Sequence, residues 1–110
     1  MYTELPRYKQ DCDASRLTTV MTGKTTSATR VPLIPANPRR VHLVISMPNS
    51  GDLFIYDVPG ANESQFITLS AGGAQLELDY WTHGPLVGKA FFHAASAGGN
   101  FFGVIETFYL

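Results

Sequence analysis

Three histidines, a lone cysteine and a few closely spaced carboxylates are the residues of this chain equipped to do chemistry. The histidines are His42, His83 and His93. No two fall at a spacing that holds a metal by itself, such as H-x-H on a strand or H-E-x-x-H on a helix. His42 stands between apolar neighbours, His83 precedes Gly84 and Pro85 in a turn, and His93 follows two Phe residues, so each reads as structural. A site assembled in three dimensions, or on a three-fold axis, stays open to them. Glu77 and Asp79 point the same way along one strand. Paired carboxylates cleave glycosidic bonds when they flank the bond at roughly 5–9 Å. Two apart on a strand they make a flat polar stripe instead of a cleft, and the solvated face is the better reading. The loop DVPGANES offers too few oxygen ligands for calcium.

Nucleophiles fare no better. Cys12 lies between Asp11 and Asp13, whose charge disfavours the thiolate that attack requires. No serine sits in G-x-S-x-G, and the glycine pairs at 72–73 and 98–99 lack the following helix that makes a phosphate cradle. Arg30, Arg39 and Arg40 form a small basic patch that reads as a surface or an interface. Tyr56, Tyr80 and Trp81 could offer a sugar-stacking platform. No catalytic residue, cofactor or metal is therefore expected, and the chain reads as a protein that works by contact.

Whatever these residues do, a single small domain must position them. A chain of 110 residues suits one domain with one core. Hydrophobic residues make up 45%, enough for a packed interior, whereas only 15% are charged against roughly 25% in an average domain. A surface so poor in charge suggests that partners cover some of it. The net charge of −1 leaves no electrostatic footprint for nucleic acid. One cysteine excludes an internal disulfide and fits a reducing compartment. MYTELPRYKQDCDAS carries charges and no apolar centre, so no signal peptide is expected, and no run approaches the roughly 20 apolar residues of a membrane-spanning helix.

The composition changes near residue 30. Residues 1–29 are polar and rich in Ser and Thr, with Leu17, Val20 and Met21 their clear apolar cluster. They read as an extended arm, with a short strand around Leu17–Met21, ordered against a neighbour or not at all. From residue 30 onward, Gly and Pro punctuate short runs of β-branched and aromatic residues. VPLIPANPRR is held extended by its prolines. Strands are expected at RVHLVISM, DLFIYDV, FITLS, AQLELDYW, LVGKAFFHAA and NFFGVIETFYL, with turns at PNSG, PGAN, AGG, THGP and SAGG. In RVHLVISM the residues Val41, Leu43 and Ile45 share a face, and in AQLELDYW the residues Leu76, Leu78 and Tyr80 do. The expected fold is all-β: an antiparallel, jelly-roll-like β-sandwich of about seven or eight strands spanning 30–110.

Two of these strands carry adjacent Phe residues, Phe91–Phe92 and Phe101–Phe102, which must point to opposite faces. Both strands are thus apolar on both sides, and a sandwich covers only one. Either other strands and loops close over them, small residues such as Ala90, Ala94 and Gly103 giving room, or a neighbouring subunit does. The shortage of charge and the aromatic ending FYL favour the subunit. Phe91, Phe101, Phe108 and Tyr109 are the expected oligomer or shell contacts, together with Leu17, Val20 and Met21 of the arm.

Residues 33–107 also resemble small bacteriophage virion proteins. The likeness rests on Pro35, Asn37, Pro38 and Arg40 of P-x-N-P-x-R, on Gly84, Leu86 and Val87 in the middle, and on Val104, Ile105 and Glu106 near the end. It implies a β-sandwich module on a capsid, tail or head fibre, and carries over no catalytic residue. The combined expectation is a homo-oligomer, a trimer by preference, that decorates or cements a phage head by contact with itself and with the major capsid protein or another virion protein. Such a protein would be made in the host cytoplasm and reside in the virion, without nucleic acid or membrane as partner. The alternative is a glycan-binding module of a fibre or tail, using Tyr56, Tyr80 and Trp81.

Overall fold

The computed structural model describes residues 16–46, 51–59, 67–69 and 75–110. Cys12, the first half of the expected arm, the AGG turn, and most of PNSG and of DVPGANES lie outside the described residues. Strands β1 (Leu17–Thr25), β2 (Val31–Ile34), β3 (Arg40–Ser46), β4 (Leu53–Tyr56), β5 (Ile67–Leu69) and β6 (Gln75–Asp79) lead into a short helix α1 (Tyr80–His83) and a 3-10 turn (Gly84–Gly88), followed by β7 (Phe91–Ala95) and β8 (Phe101–Tyr109).

All strand pairs are antiparallel, in two four-stranded sheets ordered β1-β8-β3-β6 and β2-β7-β4-β5. The topology is that of one long hairpin rolled up. β1 pairs β8, β2 pairs β7, β3 pairs β6 and β4 pairs β5, and the pairs β3–β8 and β4–β7 then close the two sheets. This strand order is that of a jelly roll, a form of the β-sandwich that the turn spacing led one to expect. The inner faces follow the period of two: Leu43 and Ile45 of β3, Leu76 and Leu78 of β6, and Phe102 and Val104 of β8 are buried against Leu53 and Ile55 of β4.

Three local differences from the sequence expectation have physical causes. The strand expected through AQLELDYW stops at Asp79, because the Asp79 carboxylate accepts the Trp81 backbone N–H at 2.8 Å and starts a helical turn in place of further pairing. The stretch from Leu86 to Gly88, expected as strand, is part of the 3-10 turn, where Pro85 occupies the first turn. Gly88 is needed there: a Cβ at that position would lie 2.7 Å from the Asn37 carbonyl oxygen. Finally, residues 17–25 are not a free arm. They pair with β8 at every position from Leu17↔Tyr109 to Thr25↔Phe101. A hydroxyl-rich segment cannot bury an apolar face, but it can satisfy its backbone against β8, and its side chains stay mostly exposed.

Two expected contact residues are corrected. Phe91 was placed at an intermolecular contact, yet it is fully enclosed by its own chain, and Phe92 takes the outward position. His93 goes inward with Phe91 and Ala95, even though a histidine argues for the wet face. Tyr109 is likewise buried. Its backbone N–H donates to the Arg39 carbonyl at 3.0 Å, and Arg39 Nε donates back to the Tyr109 carbonyl at 3.0 Å, so the chain end is folded onto the domain.

Candidate interaction surface

Among the described residues, the outer face of the β1–β8 pair carries the largest exposed apolar side chains. Met21 stands opposite Ile105 and Thr25 opposite Phe101, so Met21 and Phe101 share that face, roughly 14 Å apart along the strands. Met21 is 76% exposed and Phe101 71%. Leu110 beyond β8 is also exposed. Thr19 and Thr107, paired on the same face, join their hydroxyls at 3.0 Å and give the strip a polar end. Val20 has the inward parity but is exposed, because it sits on the edge strand of its sheet. Leu17 and Phe108 are half-buried. Of the expected contact residues, then, Met21, Phe101 and Val20 remain available, Leu17 and Phe108 partly so, and Phe91 and Tyr109 not at all.

Arg40, read from sequence as part of a surface patch, is a buried brace. A bulge between Arg40 and His42 turns both Arg40 and Val41 inward, and this re-aims the guanidinium into the end of the sandwich. Its Nε donates to Glu106 Oε2 at 2.8 Å, one Nη1 to the carbonyls of Val87 and Lys89 at 3.0 Å each, and Nη2 to the Pro35 carbonyl at 2.6 Å. A planar fork suits this array, since its N–H groups diverge to the Glu106 carboxylate, to the Val87 and Lys89 carbonyls and to the Pro35 carbonyl. Beside it lies a mainly apolar cavity of about 580 Å³, lined by Pro38, Tyr80, Pro85, Val87 and Ala90 among others, with Asp57 and Lys89 paired at 3.3 Å. The sequence signal that could have found this brace is an arginine after P-x-N-P, followed by an inward-phased Glu106 in a late strand.

The other chemistry-bearing residues are dispersed. His42 Nε2 and Glu77 Oε2 meet at 2.7 Å across β3 and β6 on the outer face. His83 Nδ1 accepts the Asp79 backbone N–H at 3.1 Å. Glu77 and Asp79 thus serve a cross-strand pair and a helix cap, respectively. Among the described residues, no group of three or more His, Cys, Asp or Glu stands close enough to hold a metal ion. Arg30 lies over the Tyr56 ring at 3.4 Å and donates to the Val58 carbonyl at 3.2 Å. Tyr80 and Trp81 meet edge to face at 87°. Perpendicular rings offer no common flat surface, and a face of Tyr56 is already taken, so these three do not share one stacking plane.

His93 is enclosed between the sheets, its ring edge-on to Phe102 at 5.2 Å, with neither ring nitrogen in a well-formed hydrogen bond. Burial holds its pKa below the ordinary histidine value. The Thr25 backbone pulls it upward against this, and the charge of Lys24 adds a smaller lowering. The unfolded chain therefore binds the proton more readily than the folded one. Stability is full above about pH 6.5 and falls as the pH drops below it, by at most about 1.4 kcal/mol per pH unit, until the folded-state value is passed. His93→Leu should flatten this acid limb in urea midpoints measured against pH; parallel curves for the two proteins would assign the loss to other groups.

Comparison with models of known protein families and with curated proteins finds no match to this sequence. Among solved structures, the chain is similar to one described under "Bacillus endospore appendages form a novel family of disulfide-linked pili", with 12% identity and a TM-score of 0.49, over 86% of this chain and 87% of that chain.

Proposed function

We propose that this chain is a structural subunit of a bacteriophage particle, a decoration or cement protein that acts by binding to itself and to the assembled shell. The observation that carries the reading is the pair of large apolar side chains, Met21 and Phe101, standing exposed on one face of the β1–β8 ladder. Leaving a large apolar side chain in water forgoes about 1.5–3 kcal/mol of burial. A domain with 15% charged residues has little polar surface to offset such a strip. Among the described residues the polar side chains serve the fold: Arg40 braces, Asp79 caps and His42 pairs with Glu77. A protein of this kind stabilises a shell by binding the assembled form and not its dissociated parts, so its effect follows from mass action.

The test is co-purification. In cells producing the particles, the wild-type chain should travel with them through a density gradient. A Met21→Ser/Phe101→Ser double variant should stay in the soluble fraction with an unchanged circular dichroism spectrum. Wild-type protein absent from the particle band removes the virion reading, and a double variant that still travels with the particles removes these residues from the contact.

A further inference from the structure

The backbone of β1 is as informative as its side chains. Leu110 N–H donates to the Arg16 carbonyl at 2.9 Å, and Thr26 N–H donates to the Asn100 carbonyl at 2.7 Å. These bonds bracket the β1–β8 ladder at its two ends. In an antiparallel pair the hydrogen-bonded positions alternate, so the even-numbered residues of β1 aim their N–H and C=O groups at β8. The odd-numbered residues, Leu17, Thr19, Met21, Gly23 and Thr25, aim theirs away from it. β1 is the first strand of its sheet, and no described strand lies on that side.

Natural proteins blunt such edges with proline, bulges, charge or brevity. The other edges of this molecule use these devices. β2 has Pro32 and a register shift, β5 is three residues long, and β6 carries Glu77 and Asp79 and turns at once into a helix. β1 uses none of them on its open side. It runs nine residues without a shift, has no proline, and its one charged residue, Lys24, turns its backbone toward β8.

We infer that β1 pairs with β1 of a second copy, antiparallel and about a two-fold axis through Met21. This register sets Met21 against Met21 of the second copy, Thr19 against Gly23 and Leu17 against Thr25. The Met21 pair and the two Thr19–Gly23 pairs join residues whose open groups face the axis, whereas the Thr25 carbonyl is directed at the buried His93 ring, so the middle of the edge carries the pairing. It also buries the most exposed apolar side chain against its own equivalent, and it leaves the two Lys24 side chains about 20 Å apart along the strands. Sliding the register by two residues parts the two methionines. The result is one continuous eight-stranded sheet, closed because both β1 edges are used. It is a two-fold assembly in place of the three-fold one expected from sequence. It rests on the strand edge alone and survives if the chain proves absent from phage particles.

Sedimentation velocity and native mass spectrometry of the full chain test it. The wild type should have twice the 12.0 kDa chain mass. Met21→Lys and Met21→Glu should each lose the dimer, through like charges placed directly opposite, and mixing the two should restore a heterodimer. Met21→Pro removes only an outward N–H, so it should abolish the dimer while leaving the circular dichroism spectrum unchanged. A monomeric or trimeric wild type, a dimer that survives in both charge variants, or a mixture that does not reunite would each overturn the two-fold pairing.

Discussion

Replacing Arg40 by methionine should cost about 3–5 kcal/mol, the range seen when one partner of a buried ion pair is removed. The side chain is fully enclosed, and it holds Glu106 together with the carbonyls of Pro35, Val87 and Lys89. Methionine fills much of the volume but donates nothing. It leaves a carboxylate with 20% exposure short of its cation and three backbone carbonyls without their donor. The β2–β3 connection, the 3-10 turn and β8 would lose their shared tie together. Thermal unfolding should shift down by more than about 12 °C on the scaling for small domains. Arg40→Met/Glu106→Leu should be no less stable than Arg40→Met, because the second change removes the stranded charge. A double variant destabilised by the sum of the two singles would mean that the pair is not coupled. Arg40→Lys should also be destabilised, since an ammonium cannot reach these diverging acceptors as the planar fork does.

Phe91→Ala should cost about 3–5 kcal/mol, the usual loss for a buried phenylalanine cut to alanine. The measurement is the urea midpoint at one fixed protein concentration, with the slope of the transition unchanged. The prediction separates two roles. An intermolecular contact residue would leave the stability of the isolated domain almost intact and change its mass in solution. A core residue does the reverse. Phe101→Ala, at a position 71% exposed, should stay within about 0.5 kcal/mol of wild type in the same urea experiment. If Phe91→Ala proves neutral and Phe101→Ala severe, the inside and the outside of the sheets have been exchanged.

Those two residues also mark where sequence reasoning holds and where it stops. The strands around Leu43, Ile45, Leu76 and Leu78 were legible because each has a wet face that fixes its phase. Phe91–Phe92 and Phe101–Phe102 have no such reference, since an apolar residue occupies either side. For β8, Phe102 and Val104 went inward and Phe101 outward. For β7 the polar residue that might have set the phase, His93, was itself drawn inside. The strand expected around Leu17–Met21 runs on to Thr25 for a different reason. Side-chain hydrophobicity carries no information about a strand held by backbone bonds, and residues 17–25 are held in that way by β8.

The sequence by itself determined an all-β sandwich of about seven or eight short strands, most of their positions, and the inward face of those that alternate. These follow from turn residues and from the period of two, both properties of neighbours in the chain. Only the tertiary structure decided that Arg40 is a brace, that Phe91 is core, and that β1 ends its sheet with no described strand on its outer side. Each depends on partners far along the chain: Glu106 and Val87 for Arg40, the opposing sheet for Phe91, and β8 for β1. A local pattern sets how a strand divides its two faces. Which face is covered, and which edge is left bare, is set by the strands that the rolled hairpin brings alongside.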